Sequence, residues 1–89
     1  VAQKDACAQH AIGWMYDSGT GAEEDKAQAF AWYEKAAKQG LSKSQFNLGV
    51  LYRDGLGVSQ NMKSAKSWFE KAAAQGDEEA AAELADWSE

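Results

Sequence analysis

AFAWYEKAAKQG, Ala29 to Gly40, and AKSWFEKAAAQG, Ala65 to Gly76, are two versions of one segment set 36 residues apart. The same shift lays GWMYDSGTG (Gly13 to Gly21) over GVLYRDGLG (Gly49 to Gly57), and from Gly13 to Gly40 12 of 28 positions match their partners. Self-similarity at a period of roughly 20 to 50 residues marks a repeat architecture, in which each unit buries its apolar face only by stacking on the next.

The local signals make each unit a pair of helices. Asp25 and Asn61 are N-cap residue types at the start of the second helices, and Asp25 with Gln28 three places on has the capping-box pattern. Gly40 and Gly76 close those helices, and Ser42 with Gln45, or Asp77, is placed to cap the next. Such short links predict antiparallel neighbours. The first helices end in Gly19-Thr20-Gly21 and Gly55-Leu56-Gly57, which predict turns. A phosphate loop would need a preceding strand, a third glycine or a Gly-Lys-Ser/Thr, and the sequence has none. The expected fold is therefore all-α, a single domain over 1–89. It comprises a first repeat at about 5–40, a second at about 41–76 and a capping helix at about 77–88, entered part-way through a preceding repeat unit.

Composition narrows the function. A net charge of −5, from 9 Lys and Arg against 14 Asp and Glu, with no basic run, excludes a nucleic-acid partner. No apolar stretch approaches the roughly 20 residues that span a bilayer, so no membrane insertion is expected and the chain reads as soluble. The single cysteine, Cys7, has no internal partner. A cytoplasmic location and a periplasmic or secreted one after leader removal are equally compatible with it, so the compartment is unassigned.

The pattern A-x-x-x-[IL]-G-x-x-Y-x-x-G-x-G followed by [DN]-x-x-x-A-x-x-W-[YF]-E-K-A-A-x-Q-G resembles the Sel-one-like repeat (SLR), a relative of the tetratricopeptide repeat common in bacteria. The resemblance covers nearly the whole chain. It implies a right-handed superhelix of antiparallel α-hairpins, a TPR-like solenoid, acting as an adaptor or scaffold in protein complexes. The chain departs from the pattern at Ala22, where the sister repeat has Val58, and at Ala85 and Ser88, which stand where Gly and Tyr would be expected. The last two suit a terminal cap. The disulfides of the related cysteine-rich group, and the penicillin binding suggested for it, do not carry over. Cys7 is alone, and no serine is followed three places later by lysine.

Helical spacing predicts a core stripe of Ala8, Ile12, Met15 and Tyr16, repeated as Ser44, Leu48, Leu51 and Tyr52. Gly13 and Gly49 lie at its edge, where a missing side chain lets a neighbouring helix approach. Ala29, Trp32, Tyr33 and Ala36, with Ala65, Trp68, Phe69 and Ala72, form the matching face of the second helices. Phe30, whose counterpart is Lys66, is expected partly buried beside that face. The acidic run Glu23-Glu24-Asp25 is expected in a solvated turn.

Positions that the repeats do not share carry the functional information. Cys7, His10, Trp14 and Asp17 form a stripe opposite the predicted core, which the 36-residue shift carries to Lys43, Phe46, Val50 and Arg53 and then to Glu79, Ala82 and Asp86. In tetratricopeptide-like superhelices the first helices line the concave surface. The candidate partner-binding residues are therefore His10, Trp14, Asp17, Phe46, Val50 and Arg53, aromatic anchors with a charged rim. The alternative reading is that His10, Trp14 and Phe46 pack between repeats. Cys7 and His10 share a face at metal-ligand spacing, but two ligands do not make a site, and no metal or cofactor is expected. Without convergent acid, base and nucleophile, no catalysis is expected. The expected function is a scaffold that binds a protein or peptide. Two alternatives are an inhibitor or immunity-type protein occupying a toxin or enzyme, and a structural piece of a longer solenoid that self-associates through its terminal helices.

Overall fold

In the computed structural model, which describes residues 2–87 and side chains from residue 5 onward, five helices follow one another. They are α1 (Ala2–Ser18), α2 (Lys26–Lys38), α3 (Ser42–Asp54), α4 (Met62–Ala74) and α5 (Glu78–Ala85), and there is no strand among the described residues. Each helix packs chiefly on its neighbours in sequence. Two antiparallel hairpins, α1/α2 and α3/α4, therefore stack with α2 held between α1 and α3, and α5 closes against α4. The result is an all-α superhelix whose Cα atoms span only 17 Å in the shortest direction, about two helix layers.

The caps behave as their chemistry requires. Asp25 accepts hydrogen bonds from the backbone N–H of Ala27 and Gln28 at 3.1 and 3.2 Å, Asn61 from Ser64 at 3.0 Å and Asp77 from Ala80 at 2.9 Å. The backbone N–H groups of Asp25 and Asn61 also donate to the carbonyls of Tyr16 and Tyr52, both at 2.9 Å, so the turn inside each hairpin is pinned identically. At the end of α2 the Gly40 N–H donates to Ala37 and the Leu41 N–H to Ala36. Gly76 and Asp77 repeat this on Ala73 and Ala72. This double closure needs a left-handed residue, and Gly40 and Gly76 supply it with φ of 99° and 95°.

The cap of α3 differs from expectation. Leu41 holds the N-cap position, where its apolar side chain offers no acceptor, and Ser42 is already helical; at the equivalent place Asp77 both closes α4 and caps α5. Gln45 is buried and donates instead to the Ala37 carbonyl across the hairpin junction, at 3.1 Å. α5 stops at Ala85, short of the expected end, and Ser88 lies outside the described residues.

Tyr33 and Phe69 are the largest fully buried side chains, each the centre of one hairpin. Both lie against a glycine. A methyl group on Gly13 would stand 2.9 Å from Tyr33 Cδ1, and one on Gly49 2.8 Å from Phe69 Cε1. The two rings can reach their helix partners only because those positions have no side chain. Gly57 serves the contact between hairpins in the same way: a methyl there would run into the carbonyl group of Lys26, at the start of α2.

Two expectations about the core need correction. Ala8 is exposed and Ile12, Met15 and Tyr16 are only half-buried, whereas Ser44, Leu48 and Leu51 at the equivalent places are buried. The difference is coverage: α2 lies over that face of α3, and no described helix lies over it on α1. Trp32 and Trp68 are likewise half-buried, each ring covered from outside by a lysine one turn on, Lys35 at 4.3 Å and Lys71 at 4.6 Å from the ring centre. Phe30 is half-buried as expected, edge-on to Tyr52 with ring centres 5.2 Å apart.

Candidate functional site on the first helices

The first helices α1, α3 and α5 share a groove of about 310 Å³ lined by His10, Lys43, Phe46, Asn47, Asp77 and Glu79. His10 comes from α1, and its ring is fixed from two sides. Nδ1 lies 2.7 Å from Oγ of the fully buried Ser44, and the ring leans on Tyr33 with centres 5.2 Å apart. Burial first, and the Lys43 ammonium second, hold the imidazole below its ordinary range, so it is neutral at neutral pH. Phe46 forms the floor, packed against Phe69 at 5.6 Å between ring centres and leaving its other side to the groove. The Asn47 side chain also acts on the Tyr33 phenol, lowering its pKa against the larger effects of burial and Asp17.

The six residues expected on the partner face have different fates. Trp14 is 48% exposed and stands free on α1, one turn beyond His10. His10 and Phe46 meet in the groove. Val50 packs on the second core cluster with only part of its surface left outside. Asp17 and Arg53 are engaged within the chain. Asp17 takes hydrogen bonds from Lys26 Nζ and, at 3.2 Å, from the Tyr33 hydroxyl, while Arg53 pairs with Asp54 and with Glu83 of α5. The Asp17 contact raises the Lys26 pKa. Burial, then the Asp17 charge, push the Tyr33 phenol well above its ordinary value. Hydrogen bonding to Asp54 raises that of Arg53.

Asn47 and Asp77 were not anticipated, and Lys43 and Glu79 were placed on the stripe without a role. A signal for Asn47 exists in the repeats. Positions 17, 33 and 47 read Asp, Tyr, Asn, and their counterparts 53, 69 and 83 read Arg, Phe, Glu, so the polar partners change as a set when the hydroxyl is present or absent. Cys7 is exposed, and among the described residues no group of three or more His, Cys, Asp or Glu is arranged to hold a metal ion. No described helix is long and apolar enough to cross a membrane.

The Sel1 repeat model matches residues 6–41 and again 42–77, most of the chain. The chain belongs to the Sel1 repeat family. Among solved structures it is similar to a Sel1 repeat protein from Oxalobacter formigenes, 45% identical with a TM-score of 0.92 over 97% of this chain and 65% of that one. It is also similar to a protective antigen with an SLR fold from uropathogenic Escherichia coli, 41% identical, TM-score 0.85, covering 88% of this chain and 17% of that one. Cysteine rich protein B of Helicobacter pylori is 29% identical with a TM-score of 0.83, over 89% and 59% of the two chains. Chitin synthase regulatory factor 3 of Schizosaccharomyces pombe is 42% identical over 52 residues, 53% of this chain and 6% of that protein. The chain thus spans less than two thirds of the length of each of these relatives. Sel1 repeat proteins are generally protein-interaction modules on a scaffold that is generally non-catalytic.

Proposed function

We propose that this Sel1 repeat chain holds a protein or peptide partner on the concave face made by α1, α3 and α5. The observation that carries the reading is the pairing of a half-exposed Trp14 with an adjoining groove whose floor is Phe46 and whose wall is His10. Aromatic groups left in contact with water beside a pocket act as anchors when a partner desolvates them. Val50 extends the apolar area, and Asp17 and Arg53, held by their internal ion pairs, form a rigid rim rather than reaching out. The name of the yeast relative, a regulatory factor, fits a repeat that works by binding.

A photoreactive amino acid at position 14 should crosslink to the partner in the intact protein. The same group at the exposed Ser67, on second helix α4, should not. Equal yields from both positions would remove the assignment of the face.

Self-association is a second reading, favoured by the half-exposed Ile12 and Met15, whose counterparts Leu48 and Leu51 are buried. Light scattering across a concentration series tests it. A constant monomer mass excludes it, and a mass that rises with concentration and returns to monomer in an Ile12→Ser variant supports it.

A further inference from the structure

The groove has a polarity along the superhelix. Lys43 and Glu79 occupy the same place in successive first helices, 36 residues apart, and carry opposite charges. Both are exposed, and among the described residues neither is held by a hydrogen bond or ion pair, in contrast to Asp17 and Arg53 on the same faces. Lys43 lines the groove from α3, and its charge acts on the His10 imidazole. Glu79 and Asp77, whose carboxylate caps α5, line it from the start of α5, and Phe46 and Asn47 give it an apolar and amide floor.

We infer that the occupant of the groove is a segment of a partner protein carrying an acidic residue that meets Lys43, an apolar residue over Phe46 and a basic residue that meets Glu79 and Asp77. The inference rests on the partner-binding reading above and adds the chemistry of the partner. The apolar contact supplies most of the affinity, and the two charged ends set register and direction.

The test uses a displayed random-peptide library selected on the chain, followed by synthetic versions of the peptides recovered. Recovered peptides should combine one acidic and one basic residue around an apolar one. Lys43→Glu should weaken such a peptide about tenfold or more, and changing the acidic residue of the peptide to lysine should restore binding. Glu79→Lys should be rescued only by changing the basic residue to glutamate. Both substitutions are at exposed positions and should leave the helical content unchanged. Peptides without this charge pattern, or peptides indifferent to both substitutions yet weakened by Trp14→Ala, would overturn the inference and leave the concave face standing. Peptides indifferent to Trp14→Ala as well would overturn both.

Discussion

Tyr33 and Phe69 fill the same slot in the two hairpins, each fully buried against a glycine, but their surroundings are built from opposite chemistry. The hydroxyl of Tyr33 donates to Asp17, which Lys26 also holds, and Asn47 completes the set. Phe69 has no hydroxyl. Arg53 stands over its ring at 6.0 Å and turns to Glu83 of the next helix. A repeat therefore conserves the shape of its core and exchanges the polar groups around it as a set, since the Tyr33 hydroxyl, on a fully buried side chain, needs an acceptor that Phe69 does not. The charges used in this way are tied down. Lys43 and Glu79, on the same faces, are exposed and have no such partner among the described residues.

The contrast can be broken by substitution, and the largest effects lie in the slot itself. Phe69→Ala empties a site that touches Phe46 and Trp87, and should cost about 3 to 5 kcal/mol in urea unfolding. The second contrast is between Gly57 and Gly21. Both have positive φ, but a side chain at Gly57 meets backbone of α2, and one at Gly21 meets only the end of Met15. Gly57→Ala should therefore be the more destabilising by about 1 to 3 kcal/mol, an overpacking cost on top of the shared backbone strain. Equal losses would mean that the contact between hairpins yields freely.

Gly13→Ala comes next. Overpacking against Tyr33 should outweigh the better helix propensity of alanine and leave a net loss of about 1 kcal/mol, seen as a lower Tm. A rise in Tm would show that the ring can move aside. Tyr33→Phe converts the first slot to the second without its partners, and should cost about 0.5 to 1.5 kcal/mol for the lost hydrogen bond to Asp17.

The smallest effect is one of pH. His10 has its pKa depressed by burial and by Lys43, so above its unfolded value of 6.5 the folded and unfolded chains are both neutral there. As pH falls below 6.5 the unfolded chain takes up the proton first, and the stability tied to the neutral ring is lost as pH passes through the lower folded value. Between about pH 8 and about pH 5 the wild-type chain should therefore lose more stability than His10→Gln, which lacks the titrating group. Identical losses would place His10 in water.

Much of the fold could be read from local chemistry. Asp25, Asn61 and Asp77 cap the helices they precede, and Gly40 and Gly76 end the ones before them, because these interactions span only a few residues. Helical spacing correctly grouped Leu48, Leu51 and Tyr33. It could not say that Ala8 would be bare, since a wheel identifies a face and not whether another helix covers it. It could not foresee that Lys35 and Lys71 would shield half-buried tryptophans from outside. The candidate site was least legible where pairing is long-range. Arg53 finds Glu83 30 residues away, and Asp17 meets Tyr33 16 residues away across the hairpin, so their charges looked available from helical position alone.

Trp14 and Met62 give the most direct test of where a partner sits, because they are matched in exposure, 48% and 47%, and differ in location. Trp14 stands on first helix α1 beside the groove, and Met62 opens second helix α4. The affinity of the crosslinked partner should be measured for Trp14→Ala and Met62→Ala, with circular dichroism checking that both remain helical. The account predicts at least a tenfold loss, about 1.4 kcal/mol, for Trp14→Ala and no change for Met62→Ala. An undiminished affinity in Trp14→Ala, or an equal loss in both, would contradict it.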